Sequence, residues 1–229
     1  MSITLCMNTL NEVSNIRAVF NCVADIVDDI IVVDTGSTDG TCELARKLGA
    51  KVYEINGVPG YGQMRTLTVH LARTEWALIL DGDERMDKPD VYKLKELSKE
   101  KMDYDLILLP RQHYRAWDRS ICENPDIRVY ADWQCRFVKV KHTIYWVRKV
   151  HEQIRGVTKT LQEFSNPVIR HFGFLKTPER LQMIVDLCNR LYKEDEENKD
   201  TYILENQIGE AAGKKYWAMT EEYHKGKHD

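Results

Sequence analysis

Short apolar runs alternate with stretches of helical period through the first half of the chain. Runs at residues 3–7, 30–33, 52–55, 76–80 and 106–109 have the length and residue types of buried strands. Between them, apolar residues recur at helical spacing from residue 12 onward and over 41–48, 63–72 and 91–99. Asp39 or Ser37 is placed to cap the second of these helices, and Pro89 suits the first turn of the fourth. Strands alternating with helices predict an α/β fold whose mostly parallel sheet is wrapped by helices.

After Pro110 the texture changes. Tyr114, Arg115, Trp117 and Arg119, and then a second cluster of aromatic and basic residues over 133–146, show no clear helical period before Pro167. This predicts short antiparallel strands and long loops, which are functional sites more often than idle connections, although aromatics of this kind equally pack a second small sheet. From Thr177-Pro178 onward, Leu181, Ile184, Val185, Cys188, Leu191 and Tyr192 return to helical spacing. A charged segment over 194–200 and a last helix over about 202–223 follow. The expected organisation is residues 1–110 and 111–175 as two halves of one domain, with 176–229 as a helical extension.

A chain of 229 residues with 43% hydrophobic content supports one main core. The net charge of −3 gives no general attraction for nucleic acid or anionic lipid. No apolar stretch approaches the roughly 20 residues that span a bilayer, and the first residues lack the basic segment and apolar core of a signal peptide. A cytoplasmic protein is therefore expected, with peripheral membrane contact left open. The six cysteines, at 6, 22, 42, 122, 135 and 188, have no C-x-x-C spacing and read as reduced thiols.

Candidate chemistry concentrates where strands end. Asp81-Gly82-Asp83 closes the 76–80 run, leaving two carboxylates where a buried strand meets solvent. Like charges this close repel until something positive lies beside them, and hard cations such as Mg²⁺ or Mn²⁺ take carboxylate, phosphate and water oxygens. A second acidic turn begins with Asp34, at the end of the 30–33 run. In an open α/β sheet, ligands bind outside the carboxyl ends of the strands, so both turns would face one cleft. Read singly, each is also an ordinary turn after a strand.

Three segments resemble the motifs of family-2 nucleotide-sugar glycosyltransferases of the GT-A fold. Asn8-Thr-Leu-Asn-Glu12 is similar to their T-x-N-E opening, residues 32–41 (VVDTGSTDGT) to their second-strand signature, and Asp81-Gly82-Asp83 to their D-x-D. Val150-His-Glu152 and the stretch 169–173 (IRHFG) resemble, more weakly, a bacterial branch that includes lipopolysaccharide core transferases, with Phe174 where a Tyr is usual.

The resemblance implies a nucleoside-diphosphate sugar donor, UDP-linked first among them, and a glycan or lipid-linked saccharide acceptor bound on the side of the small antiparallel sheet. Thr9, Asn11, Asp34 and Gly82 would line the nucleotide pocket with Glu12 beside it. Arg65 would meet the diphosphate through its planar fork of donors. Asp83 would bind Mn²⁺ or Mg²⁺ directly, Asp81 would bridge to ribose or metal-bound water, and His171 would be a third ligand. Glu152 would take the acceptor's proton, with Asp118, Glu123 and Asp132 as substitutes, in an inverting displacement. His151, Arg148 and Lys149 would add hydrogen bonds or positive charge around that base.

Other readings of the same residues remain. A sugar-phosphate nucleotidyltransferase shares the sheet, nucleotide and metal but opens with a glycine-rich, basic segment that is missing here. A binding domain that lost turnover would keep the fold. A dehalogenase-type phosphatase needs a second Asp where Gly36 stands.

Overall fold

The structure is a computed structural model, which describes residues 1–114, 132–162, 167–173 and 176–195. The first half alternates as expected: β1 (Ile3–Thr9), α1 (Ile16–Val23), β2 (Asp29–Asp34), α2 (Thr41–Lys47), β3 (Lys51–Glu54), α3 (Tyr61–Leu71) and β4 (Trp76–Ile79). Then come β5 (Glu84–Arg85), α4 (Lys88–Glu100), β6 (Leu106–His113), β7 (Asp132–Lys139), β8 (Tyr145–Val147), β9 (Gln153–Arg155), β10 (Thr160–Gln162), β11 (Ile169–His171) and α5 (Pro178–Glu194).

One large sheet runs β3-β2-β1-β4-β7-β6-β11-β5, with β10 also on β6, and β8 and β9 form a small antiparallel pair. Strands β3, β2, β1 and β4 are mutually parallel. After Pro110 the expected short antiparallel strands are present: β8 and β9 make the separate small sheet, while β7 joins the large sheet, antiparallel between β4 and β6. Apolar positions alternate sides along β1, so Ile3, Leu5 and Met7 pack with α1 and α4 while Cys6 joins Val69 of α3 on the other face. Trp76 of β4 stacks on Phe137 of β7 at 4.6 Å between ring centres, both fully buried. Burying each such side chain contributes about 1.5–3 kcal/mol.

Two boundaries, the start of α1 and the end of β6, differ most from the sequence reading, and so does one helix cap. Helix α1 starts at Ile16 because residues 12–15 make a turn in which the Asn15 and Ile16 amides both donate to the Glu12 carbonyl at 2.9 Å. Strand β6 continues through Pro110 to His113: β10 covers residues 106–108 and β11 covers 111–113, so the proline falls between its two partners on that edge. The residue before α2 is Gly40, at φ 92°; Asp39 stands one place earlier and accepts from the Thr41 amide at 3.0 Å, while Ser37 turns to Asp34.

Helix α5 opens as its sequence suggests, with Pro178 in the first turn and the Thr177 hydroxyl accepting from the Arg180 amide. Cys6, Cys22, Cys42, Cys135 and Cys188 are free thiols. Among the described residues, no helix is long and apolar enough to cross a membrane. The predicted helix over 202–223, the substitute bases Asp118 and Glu123, and Arg115, Trp117, Arg119, Cys122 and Phe174 lie outside the described residues.

Candidate functional site

Because β1, β2 and β4 run parallel, their carboxyl ends deliver Thr9, Asp34 and Asp81 to one edge of the sheet. A cleft of about 850 Å³ opens there, lined on one side by Thr9, Glu12 and Thr35 and on the other by Arg65, Glu152 and His171. Helix α3 reaches this edge by close packing: Tyr61 N–H donates to the Lys149 carbonyl at 2.7 Å. A Cβ on Gly62 would come within 2.5 Å of the Arg148 carbonyl, so glycine lets the helix lie against the strand that leads to Glu152.

The Asp34 turn is organised from within. Its carboxylate, nearly fully buried, accepts from Thr9 Oγ1 at 2.9 Å, the Gly36 and Ser37 amides at 2.9 and 2.8 Å, and Ser37 Oγ at 2.5 Å. Burial works against ionisation, yet these donors hold the carboxyl below its ordinary range. Asn11, at φ 55°, staples the neighbouring loop to this turn: its amide donates to Ser37 Oγ and its Oδ1 accepts from Thr38 N–H. Arg148 and His151 also have positive φ, so strained non-glycine backbone clusters in the loops around the cleft. His151 packs its ring against Tyr192 of α5.

The Asp81-Gly82-Asp83 turn is closed by a residue the sequence did not single out. Glu84, fully buried, donates its amide to the Asp81 carbonyl and accepts the Asp81 N–H on Oε2, both at 3.0 Å. Its Oε1 meets Arg136 at 2.9 Å and Arg111 at 3.1 Å. Arg136 also reaches Asp81 Oδ2 at 2.5 Å, where Arg65 arrives at 3.3 Å. Although burial opposes ionisation, Arg136 and Arg65 hold the Asp81 carboxyl well below the usual range. Arg65 spans the cleft floor, with its Nε at 2.5 Å from Glu152 Oε1 and its buried third nitrogen, a terminal one, without a partner among the described residues. Glu152 is depressed in the same way, burial raising it and Arg65 more than offsetting that.

Asp83 is held apart from these arginines. Its Oδ2 contacts the Lys176 ammonium and lies 3.6 Å from His171 Nε2. The approach is set by the antiparallel pairing of β5 with β11, which puts His171 opposite Glu84. Gly173 leaves the room, since a Cβ there would stand 2.3 Å from the His171 ring and 3.2 Å from Asp83 Oδ2. Gly82 likewise admits the Glu12 carboxyl, which a Cβ would meet at 2.6 Å. Burial pushes Glu12 upward, against the Asn15 amide and Lys176.

Asp83 and His171 are thus one carboxylate and one imidazole converging beside a lysine cation. Among the described residues no three acidic, histidine or cysteine side chains group as metal ligands, and Asp81 turns to Arg65 and Arg136 instead. The arrangement suits a cation with two protein donors and the rest of its shell supplied by phosphate and water oxygens. Glu84, Arg111, Arg136, His113 and Lys176 were missed by the sequence reading; an Arg beside the apolar pair Phe137-Val138 and a Glu directly after the Asp-Gly-Asp turn are the signals that were available.

Comparison with known proteins agrees with this fold. Residues 4–145 match the family described as Glycosyl transferase family 2. A TPR repeat-containing protein of Synechococcus elongatus is 26% identical over 192 residues, covering 79% of this chain and 44% of that protein. An uncharacterized glycosyltransferase of Rickettsia felis is 40% identical over 80 residues, 35% of this chain and 28% of that protein. The aligned region thus spans less than half the length of these two relatives.

Among solved structures, S. aureus TarS 1-349 in complex with UDP-GlcNAc superposes with a TM-score of 0.60 at 16% identity, covering 85% of this chain and 66% of that one. Glucosyl-3-phosphoglycerate synthase from Mycobacterium tuberculosis, in complex with Mn²⁺ and UDP-glucose, gives 0.51 at 16% identity, covering 83% and 79%. At these identities the likeness concerns the fold. The match to one family over well more than half of its residues means that this chain belongs to glycosyl transferase family 2.

Proposed function

We propose that this chain carries the catalytic site of a metal-dependent glycosyltransferase. It would move a sugar from a nucleoside-diphosphate donor, a UDP-sugar first among them, to a hydroxyl of a glycan or lipid-linked saccharide, with inversion. The observation that carries this reading is the meeting of Asp83 and His171 at 3.6 Å on the rim of a cleft whose floor is Arg65. Family membership supports the reaction class, and the UDP-sugars bound in the two structural neighbours support the donor.

Asp83 and His171 are the residues that would hold Mn²⁺ or Mg²⁺, with Asp81 bridging to ribose or to metal-bound water; the imidazole favours Mn²⁺. The Lys176 ammonium resting on Asp83 supports this reading, since the carboxylate already draws a positive charge there. When bound, the divalent ion supplies charge to the departing diphosphate. Thr9, Thr35 and the loop held by Asp34 and Asn11 form the wall for base and ribose. Gly82 and Glu12 shape the turn between that wall and the cation. Arg65, whose buried terminal nitrogen lacks a partner among the described residues, donates to the diphosphate. Glu152 is ionised at neutral pH and accepts the proton of the attacking hydroxyl. The branch resemblance of 150–152 and 169–173 supports a surface-saccharide acceptor.

The test is calorimetric binding of UDP with and without Mn²⁺. Wild-type protein should bind UDP at least tenfold more tightly with Mn²⁺, and Asp83→Asn should lose that gain. Equal binding with and without the ion, or a gain that survives Asp83→Asn, would reject the reading.

A further inference from the structure

The surroundings of the His171 ring carry the proposed cation site one step outward. While Nε2 faces Asp83, Nδ1 of the same ring lies 2.8 Å from Nδ1 of His113. His113 Nε2 is in turn 3.0 Å from Asp132 Oδ2. The two rings stand nearly perpendicular, 88° between planes and 4.8 Å between centres. Backbone registry builds this chain: His171 is the partner of His113 across β11 and β6, and Asp132 pairs with Arg111 across β7 and β6. Arg111 grips Asp132 Oδ2 at 2.6 Å and the Gln134 amide donates to its Oδ1 at 2.6 Å. Asp132 is therefore an ionised acceptor in a fixed pose.

That fixes the protons along the line. An ionised carboxylate can only accept, so a neutral His113 carries its proton on Nε2 and presents a lone pair at Nδ1. His171 must then donate from Nδ1, which leaves its Nε2 as a lone pair directed toward Asp83. A lone pair and a carboxylate 3.6 Å apart form a pair of donors for a cation. With the hydrogen bonds reversed, Nε2 would carry a proton and could not ligate.

We propose that His113 and Asp132 are positioning residues of the cation site, which hold the His171 ring in one orientation and in the tautomer able to bind metal. The inference rests on the functional reading above, because it takes Asp83 and His171 as ligands. An outer carboxylate on a ligating histidine is a general device of metal sites, and its loss weakens metal binding about 10- to 100-fold. Here a second histidine is interposed between the two.

Two measurements test it on the full chain. Long-range ¹H–¹⁵N NMR of the metal-free wild type at pH 7.5 should show His171 protonated on Nδ1 and bare on Nε2. Asp132→Ala, which takes away the acceptor at His113 Nε2, should lift this constraint and let a population of His171 carry its proton on Nε2. Calorimetric titration with Mn²⁺ in the presence of UDP should show about 10- to 100-fold weaker binding for both Asp132→Ala and His113→Phe. A proton on Nε2 of His171 in the wild type would overturn the proposal, and this readout needs no variant to fold. So would Mn²⁺ affinities within about threefold of wild type in both variants. If wild-type protein itself takes up no Mn²⁺ with UDP, the functional reading falls and this inference with it. If the wild type binds and the variants match it, only the inference falls.

Discussion

Replacing Arg136 by Met would remove the charge that ties the Asp-Gly-Asp turn to the centre of the sheet while keeping most of the side chain's stem. Arg136 is 2% exposed and serves Glu84 Oε1 at 2.9 Å and Asp81 Oδ2 at 2.5 Å. In the variant, Glu84, itself 0% exposed, keeps Arg111 at 3.1 Å and the Asp81 amide, and Asp81 keeps Arg65 at 3.3 Å. Breaking a buried pair by deleting one partner costs about 3–5 kcal/mol. The surviving Arg111 contact lowers the expectation to about 2–4 kcal/mol. For a domain of this size each kcal/mol moves Tm by about 2–4 °C, so a fall of about 4–16 °C is expected.

Urea unfolding followed by tryptophan fluorescence measures the loss, and Glu84→Gln with the double variant completes a cycle. Because the two groups share one ion pair, the double variant should be at least about 1 kcal/mol more stable than the sum of the single losses requires. Mn²⁺-dependent UDP binding should weaken together with stability, since Glu84 also closes the turn that presents Asp83. A loss below about 1 kcal/mol, or losses that simply add, would refute a buried charge cluster as the support of the turn.

Other expectations come from separate parts of the molecule. Trp76 is fully buried against Phe137 and its indole N–H has no partner among the described residues, so Trp76→Phe should cost no more than about 1 kcal/mol, whereas Trp76→Ala should cost about 3–5 kcal/mol. Equal losses in urea midpoints would contradict this. Asp105 accepts from Lys141 Nζ at 2.6 Å and from Thr158 N–H and Oγ1 at 2.9 and 2.5 Å; burial opposes its ionisation, but these donors hold its carboxyl well below the ordinary range. A depressed carboxylate contributes stability above its unfolded value near 3.9 and loses it as pH falls through the folded one. The gap between wild type and Asp105→Asn, about 1–3 kcal/mol at pH 7, should therefore close only below about pH 4. A gap already closed at pH 6 would exclude the ionised pair. Glu152→Gln should lower kcat by about 10²–10⁴ while UDP binds as well or more tightly, because Arg65 is released from its carboxylate toward the diphosphate. Turnover near wild type would move the base elsewhere.

The parts of this protein that were legible in its sequence are those where burial forces a residue type. Strand β2 must be apolar because both faces are covered, so Asp34 at its end stands out as an acid delivered to solvent. The same logic exposed Asp81. It failed for buried charges, which read along the chain as ordinary surface: Arg136 sits inside β7, among the expected antiparallel strands, yet its basic neighbours gave no sign that its own charge is buried. Asp83 and His171 lie 88 residues apart, and only the β5 to β11 pairing brings them together; family resemblance had to supply what periodicity could not. His113 was hidden because Pro110 reads as a strand end, whereas here the proline falls between β10 and β11.

Charge balance decides what the cleft can accept. Glu12, Asp81, Asp83, Asp132 and Glu152 line it against Arg65, Arg111, Arg136, Lys176 and Arg180, and Glu84 lies just beneath. Each cation already faces an acid: Arg65 meets Glu152 and Asp81, Arg136 meets Asp81 and Glu84, Arg111 meets Asp132 and Glu84, Lys176 meets Asp83, and Arg180 approaches Glu12 at 4.0 Å. Charges so balanced among the described residues exert little net pull on a nucleoside diphosphate, and breaking a buried pair to free an arginine is costly. A diphosphate would therefore need an added positive charge, and Asp83 is where it would lodge: among the described residues, the cation on its carboxylate oxygen is a lysine on a flexible stem, whereas Asp81 is clamped by two buried guanidinium groups. Divalent-ion dependence of donor binding is thus expected from the pairing pattern alone, whichever sugar the donor carries.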